Sequence, residues 1–184
     1  MKKLTLLLAT TALLLAQTPS ETIQFGADGQ PKFPKDYRQW IYLSSGMDMS
    51  YGPAAQANPE QSKFDNVFVN PTSYRAFVNT GHWPDKTAFV LEVRAAASHG
   101  SINKSGHYQN ELLGFDVEVR DDKRFPQKWA FFNFEPGKDK GTAQPATSSC
   151  NTCHKQNGAV DNTFVQFYPT LAEIAKAKGT FTAH

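Results

Sequence analysis

The sequence predicts an α+β domain built mainly from an antiparallel β-sheet with a few flanking helices, and not a four-helix bundle. Residues 87–96 and 112–120 alternate apolar and polar side chains, as strands do when one face lies toward a core. Only a few stretches show helical spacing. With 14 Phe, 6 Tyr and 3 Trp among its 184 residues, the chain has enough apolar material for one core.

The remaining elements follow from local signals. Asn70 as a cap and Pro71 in the first turn predict a helix that Gly81 ends. A final helix is predicted over residues 170–178, with Gly179 as its stop. Further strands are predicted at residues 38–43 (or the end of a helix), 64–69 and 129–134. Loops or polar connections are predicted at residues 46–61, 99–106 and 137–149.

A cleaved signal peptide is predicted over residues 1–16. Lys2 and Lys3 precede an apolar run, and Ala16 places a small residue before Gln17. A buried N-terminal helix and an uncleaved membrane anchor are the alternatives, but the run is short for a bilayer span and polar sequence follows it. We therefore expect export to the periplasm of a Gram-negative bacterium, with no membrane segment after cleavage.

The rest of the chain divides into a polar N-terminal leader, residues 17–34, and a single domain, residues 35–184. The whole chain carries 19 Lys and Arg against 17 Asp and Glu, and removing Lys2 and Lys3 with the signal leaves 17 of each. A neutral protein lacks the cationic surface on which nucleic-acid binding depends. We therefore expect no nucleic-acid partner.

The chemistry of the chain is concentrated in a Cys-x-x-Cys-His motif at residues 150–154, the attachment signature of haem c. On one helical turn, Cys150 and Cys153 can form thioethers with the two vinyl groups of one haem. His154 then supplies a neutral imidazole as the proximal ligand of the iron. The motif predicts one covalent haem on a helix near the C-terminus. Because haem c is attached outside the bacterial cytoplasm, the motif agrees with the signal peptide.

Three other interpretations of the two cysteines are weaker. A thioredoxin-like pair belongs early in a βαβ unit, whereas this motif follows a strand-rich region. A zinc site needs further ligands, and the sequence has no second Cys/His cluster. A structural disulfide, which two cysteines in an exported protein would ordinarily suggest, leaves His154 unexplained.

Several stretches, in their order along the chain, resemble the cytochrome P-460 family, including its cytochrome c′-beta branch. They are Phe33-Pro34-Lys35-Asp36-Tyr37-Arg38-Gln39-Trp40, Val69-Asn70-Pro71, Lys123-Arg124-Phe125-Pro126, Trp129-Ala130-Phe131-Phe132, the motif itself and Phe164-Val165-Gln166-Phe167-Tyr168-Pro169. Together they span nearly the whole mature chain. The resemblance implies a mainly antiparallel β fold, usually a homodimer, with a haem c ligated by His154 and no protein ligand on its distal side.

The resemblance also separates two branches of the family. In the hydroxylamine-oxidising branch a strand lysine is cross-linked to the porphyrin, and that position falls on Leu91; Lys86 lies near the start of the strand and is a poor substitute. The c′-beta branch, which has an apolar distal pocket and binds NO or CO, is the better match. Phe89, Leu91 and Phe115 are candidates for this pocket and Asp116 for a polar distal residue. Core packing or a solvated sheet face would also explain each of them.

Three functions stay open on the sequence alone. The first is binding of NO or CO at a five-coordinate iron. The second is electron transfer to a redox partner protein, in which a methionine or histidine fills the sixth position. The candidates for this ligand are Met47, Met49, His82, His99 and His107. The third is oxidation of hydroxylamine or a related nitrogen compound without the usual cross-link.

Overall fold

A computed structural model describes residues 20–50 and 62–183, so the predicted signal peptide and most of the predicted 46–61 loop lie outside the described residues. Its strands and α-helices are, in chain order, β1 (Ile41–Met47), β2 (Lys63–Val69), α1 (Pro71–Thr80), β3 (Ala88–Ala97), β4 (Tyr108–Arg120), β5 (Trp129–Phe134), β6 (Thr142–Ala143), α2 (Ser149–Asn157) and α3 (Pro169–Lys178). The six strands form one antiparallel sheet in sequence order, from β1 to β6. The predicted α+β class is confirmed, with the motif on a helix near the C-terminus and no bundle.

Some element boundaries differ from the prediction. The ambiguous 38–43 segment divides into a 3₁₀ helix, Tyr37–Gln39, and the start of β1. Strand β4 begins at Tyr108 rather than residue 112, because its hairpin with β3 continues to the pair Ala97 and Tyr108. The register shifts near Arg94 break the simple alternation there, so sequence periodicity misses this end of the strand. The short β6 lies within the predicted connection.

The two faces of the sheet have different coverings. The N-terminal face is covered by the segment that precedes β1, and its buried sheet residues include Phe68, Val90, Val117 and Phe132. The helix face is covered by α1 and α3, and its buried sheet residues include Val69, Phe89, Trp129 and Phe131. Since burying one large apolar side chain is worth about 1.5–3 kcal/mol, both faces contribute to the stability of the fold.

The predicted polar leader packs on the N-terminal face. Ile23 is buried, and Phe25 and Phe33 pack against the same core. Isolated β-bridges join Phe25 to Pro31 and Lys32 to Lys140. The end of this segment is therefore part of the domain. Within residues 20–50 and 62–183, no helix is both long and apolar enough to cross a bilayer.

Helix α1 is bounded as predicted but capped differently. Pro71 begins it, and Gly81 follows it with a left-handed φ of 77°. Asn70 is the N-cap residue, as predicted, but its side chain makes no capping hydrogen bond: Asn70 Oδ1 instead accepts a hydrogen bond from the backbone N–H of Ala88 at 2.9 Å. Glu21 accepts a hydrogen bond from the backbone N–H of Thr72 at 2.9 Å. A carboxylate from the N-terminal segment thus satisfies a donor of the first turn.

Glu92 is a buried acid that joins the 3₁₀ helix to the N-terminal face. Only 1% of it is exposed, and it accepts hydrogen bonds from Tyr37, Arg38 and Arg94, and from Asn66 at 3.2 Å. Burial alone would raise the pKa of Glu92. The hydrogen bonds from Arg94 and Tyr37 and the charge of Arg38 outweigh burial, so the pKa lies below its usual 4.5.

We expect Glu92→Gln to lower the free energy of unfolding by about 2 kcal/mol at neutral pH, since the amide keeps the shape but not the charge. Because folding lowers the pKa of Glu92, its stabilisation is present above pH 4.5 and is lost as the pH falls through the folded-state value. The difference from the wild type should therefore shrink below pH 4.5. Urea unfolding across this range measures it, with the exposed Glu111→Gln as control. Equal losses in both variants would contradict the assignment.

Candidate functional site

Helix α2 places the three motif side chains on one side. Cys150, Cys153 and His154 occupy positions i, i+3 and i+4, which are neighbours on a helix surface. Both thiols are free and partly buried, and Cys150 packs against the core of the helix face. The arrangement leaves the two thiols available for thioether formation beside an imidazole.

The His154 ring is fixed by four neighbours. Its Nδ1 lies 3.0 Å from the carbonyl oxygen of Asn162 and 3.3 Å from Glu118 Oε1. The ring also packs against Phe131 and Phe164, with centroid distances of 4.7 Å and 4.2 Å. Because Nδ1 faces two acceptors, it must carry the proton, and the Nε2 lone pair is left for a metal.

The same neighbours set the protonation of the ring. Burial alone would lower the pKa of His154, but the negative charge of Glu118 and the hydrogen bond to the Asn162 carbonyl outweigh it, so the pKa is raised. Glu118 is itself largely buried, since only 12% of its side chain is exposed. Sequence reasoning missed it because its alternation with Val117 and Val119 is typical of a surface acid.

A tight loop after α2 presents the Asn162 carbonyl to His154. Asp161 and Asn162 both have left-handed φ values, 48° and 64°. A Cβ on Gly158 would lie 2.5 Å from the Asn162 carbonyl carbon and 2.6 Å from the His154 oxygen, so only glycine fits there. Sequence signals for this loop existed, since Asp and Asn tolerate left-handed backbone better than other side chains do.

Trp83 attaches this loop to the rest of the helix face. Its backbone N–H donates to Asp161 Oδ2 and its Nε1 donates to Thr163 Oγ1, each at 2.8 Å. The indole is 2% exposed and packs against Phe77 and Phe89. The loop that orients His154 is therefore anchored in the core.

The four proposed distal residues do not come together as a set. Leu91 and Asp116 are register partners on β3 and β4, and both lie on the helix face with Phe89. Phe89 is buried among Trp83, Trp129 and Tyr168, and therefore belongs to the core. Phe115 lies on the opposite, N-terminal face, where it packs against Phe33, Tyr37 and Phe134.

The helix face is open beside these core residues. Leu91 and its register partner Val67 are half-buried, while Asp116 and Asn133 are exposed. Asn133 donates a hydrogen bond to Asp116. The surrounding sheet atoms raise the pKa of Asp116, against the lowering effects of Asn133 and Lys63.

Two neighbouring cavities mark this open region. One, of about 720 Å³, is lined by residues that include Trp129, Phe131 and His154. The other, of about 710 Å³, is lined by residues that include Asp116 and Asn133. Phe131 and Asn133 are alternate residues of β5 on the helix face, so both cavities reach this face. Free thiols, an oriented imidazole and half-buried aliphatic side chains fit a haem on this face.

The other candidate iron ligands lie elsewhere. Met47 pairs with Phe64 and so lies on the N-terminal face. His82 Nδ1 lies 3.2 Å from Asp161 Oδ2, and His107 Nδ1 lies 2.9 Å from Ser98 Oγ. His99 is in the β3–β4 loop.

Met49 lies against Gly46, near the end of β1. Gly46 is in register with Asp65, Val93 and Gly114, whereas Glu118 lies further along β4. Strand spacings therefore separate Gly46 from Glu118 by roughly 20 Å, too far for Met49 and His154 to share one iron.

The fold argues against two alternative interpretations of the motif, a thioredoxin-like redox pair and a zinc site. The sheet is antiparallel throughout, so α2 is not part of a βαβ unit of the thioredoxin kind. Within the part of the chain that the structure describes, no group of three or more His, Cys, Asp and Glu side chains could bind a metal ion. A zinc site of the usual four ligands is therefore not formed by these residues.

We expect Gly158→Ala to destabilise the loop after α2 by about 1–3 kcal/mol, because the added methyl group meets backbone atoms that cannot move aside. The His154–Asn162 hydrogen bond should weaken and the haem content per chain should fall. Urea unfolding and absorbance per chain measure both effects. The control is Gly114→Ala, whose Cβ would make an ordinary contact of 3.4 Å with the Phe134 carbonyl oxygen. Unchanged stability and haem content in Gly158→Ala would contradict the expectation.

Comparison with known proteins identifies the family. The Cytochrome P460 family model matches residues 34–165, a range that contains all six strands and the motif helix α2. No curated protein matches the chain. The match covers well over half of the sequence and agrees with the site on the helix face. The chain therefore belongs to the cytochrome P460 family and is a haem-binding cytochrome.

Proposed function

We propose that this protein is a periplasmic mono-haem c-type cytochrome with an open distal iron site that binds small gaseous ligands such as NO or CO. Cys150 and Cys153 form the thioethers, and His154 is the proximal ligand. The haem supplies a redox-active iron with a vacant coordination position. One observation carries the proposal: the Asn162 carbonyl orients His154 for iron beside the open part of the helix face, while Met47 lies on the opposite face of the sheet.

The character of the helix face supports a gas ligand. Leu91 and Val67 are aliphatic and cannot coordinate iron, and both are half-buried beside the exposed Asp116. A small uncharged ligand needs no ion pair or large polar pocket, so an apolar surface with one polar group at its edge is sufficient. These features match the c′-beta branch of the family.

The hydroxylamine-oxidising alternative is less well supported. Leu91 occupies the position of the cross-linking lysine and has no reactive group. Lys86, the nearest lysine along the chain, lies before β3 and forms an ion pair with Asp121 at 2.6 Å. Its amine therefore takes part in an ion pair at the end of the sheet.

Export and assembly complete the proposal. The predicted signal peptide and the haem c motif both support a periplasmic location for the mature protein. We further propose a homodimer, on the resemblance to the family, and a redox partner that keeps the iron reduced when CO is bound. Haem attachment requires reduced thiols, and Cys150 and Cys153 are free on α2.

The test is the optical spectrum of the reduced, haem-loaded protein before and after addition of CO. We expect a broad high-spin spectrum that sharpens promptly on CO addition, because in this proposal the sixth coordination position of the iron has no protein ligand. The double variant Met47→Leu/Met49→Leu is the control and should give the same spectra. A narrow low-spin spectrum that does not change on CO addition would overturn the proposal. If this low-spin spectrum disappeared in the double variant, the sixth ligand would be a methionine and the function would be electron transfer.

A further inference from the structure

A buried carboxylate lies directly behind the proximal histidine. Glu118 Oε1 is 3.3 Å from His154 Nδ1, and the Glu118 side chain is 12% exposed. This oxygen is fully buried and accepts no hydrogen bond of good geometry from any described residue. The Nδ1 proton is directed at the Asn162 carbonyl instead, so the contact between Glu118 and the imidazole is electrostatic.

Among the described residues, no lysine or arginine forms an ion pair with Glu118. Among the ion pairs formed by residues 20–50 and 62–183, the one that includes Glu118 is with His154. Its register partners on β3 and β5 are Phe89 and Phe131, both buried aromatics. A charge in such apolar surroundings acts over several ångströms with little screening.

We propose that Glu118 is a positioning residue whose negative charge aligns the proximal imidazole and favours the ferric over the ferrous state of the attached iron. The inference rests on the haem attachment proposed above. It goes further by assigning control of the iron's redox state to one strand residue outside the motif.

The direction of the effect follows from charge. Reduction adds an electron to the iron, and a nearby anion disfavours this addition. A carboxylate beside Nδ1 also increases the electron density that the imidazole gives to the iron, which stabilises the oxidised form. Replacing the carboxylate by a neutral amide of the same shape should therefore raise the reduction potential.

The experiment is a spectroelectrochemical titration of four haem-loaded proteins: the wild type, Glu118→Gln, Glu118→Asp and Glu111→Gln. Glu118→Gln should lower the ferric-to-ferrous ratio at a fixed potential about tenfold, a rise of 59 mV for a one-electron couple. Glu118→Asp retains the charge and should shift the potential by less than half as much. Glu111→Gln removes an exposed charge from the same strand and should not shift it.

Two outcomes would overturn this inference without affecting the proposed function. The first is a reduction potential of Glu118→Gln equal to that of Glu111→Gln. The second is an equal shift of the potential in Glu118→Gln and Glu118→Asp, which would indicate an effect of packing rather than of charge. A wild type without covalent haem would overturn the proposed function as well. If Glu118→Gln takes up no haem, redox-difference infrared spectra of the wild type with ¹³C-labelled glutamate replace the titration. A carboxylate band that shifts on reduction supports the inference, and its absence contradicts it.

Discussion

The hydrogen bond from His154 Nδ1 to the Asn162 carbonyl is the contact on which the rest of the site depends. It fixes the tautomer of the imidazole and thereby frees Nε2 for iron. The carbonyl is in place because Gly158 allows the chain to return closely on α2 and because Trp83 bonds both Asp161 and Thr163. The motif alone could not orient its histidine; the loop that follows it does so.

The two faces of the sheet have different roles: the N-terminal face stabilises the fold, and the helix face carries the proposed haem site. The N-terminal face is filled by aromatic side chains and by the buried Glu92 network, so it mainly stabilises the fold. The helix face is covered only in part by α1 and α3. Its uncovered part carries Leu91 and Asp116, beside the cavity that His154 lines. A strand that turns alternate residues to opposite faces can therefore stabilise the fold with Val117 and act on His154 with Glu118.

The elements and site residues that local sequence patterns determine were predicted from the sequence. Alternation located β3 and β4, and Pro71 and Gly81 bounded α1, because these signals depend on neighbours along the chain. The motif predicted Cys150, Cys153 and His154 for the same reason. Phe115 was placed with Leu91 because each was apolar and on a confident strand, but the relative facing of two strands depends on their register, which sequence spacing does not give.

The site residues that the sequence analysis missed act through tertiary contacts or through the backbone. Glu118 and Trp83 act at the His154 site through contacts between segments far apart in the chain, and neither has a residue type that signals such a role. Asn162 acts through its backbone carbonyl, which a side-chain pattern does not report. Asn70 looked like a helix cap, yet its side chain bonds to Ala88 and Glu21 satisfies the helix instead. A hydrogen bond to the first turn of α1 could come from either Asn70 or Glu21, and only the tertiary structure shows that Glu21 makes it.

The most direct test of this account is the resonance Raman spectrum of the reduced, ligand-free protein. The iron–histidine stretching mode is observed in ferrous haem when histidine is the sole axial ligand and the iron is high-spin. We expect this mode in the wild type and its loss in His154→Ala, because the Asn162 carbonyl orients the His154 imidazole for the iron. A six-coordinate, low-spin spectrum without the mode would contradict both the assigned proximal geometry and the open distal site.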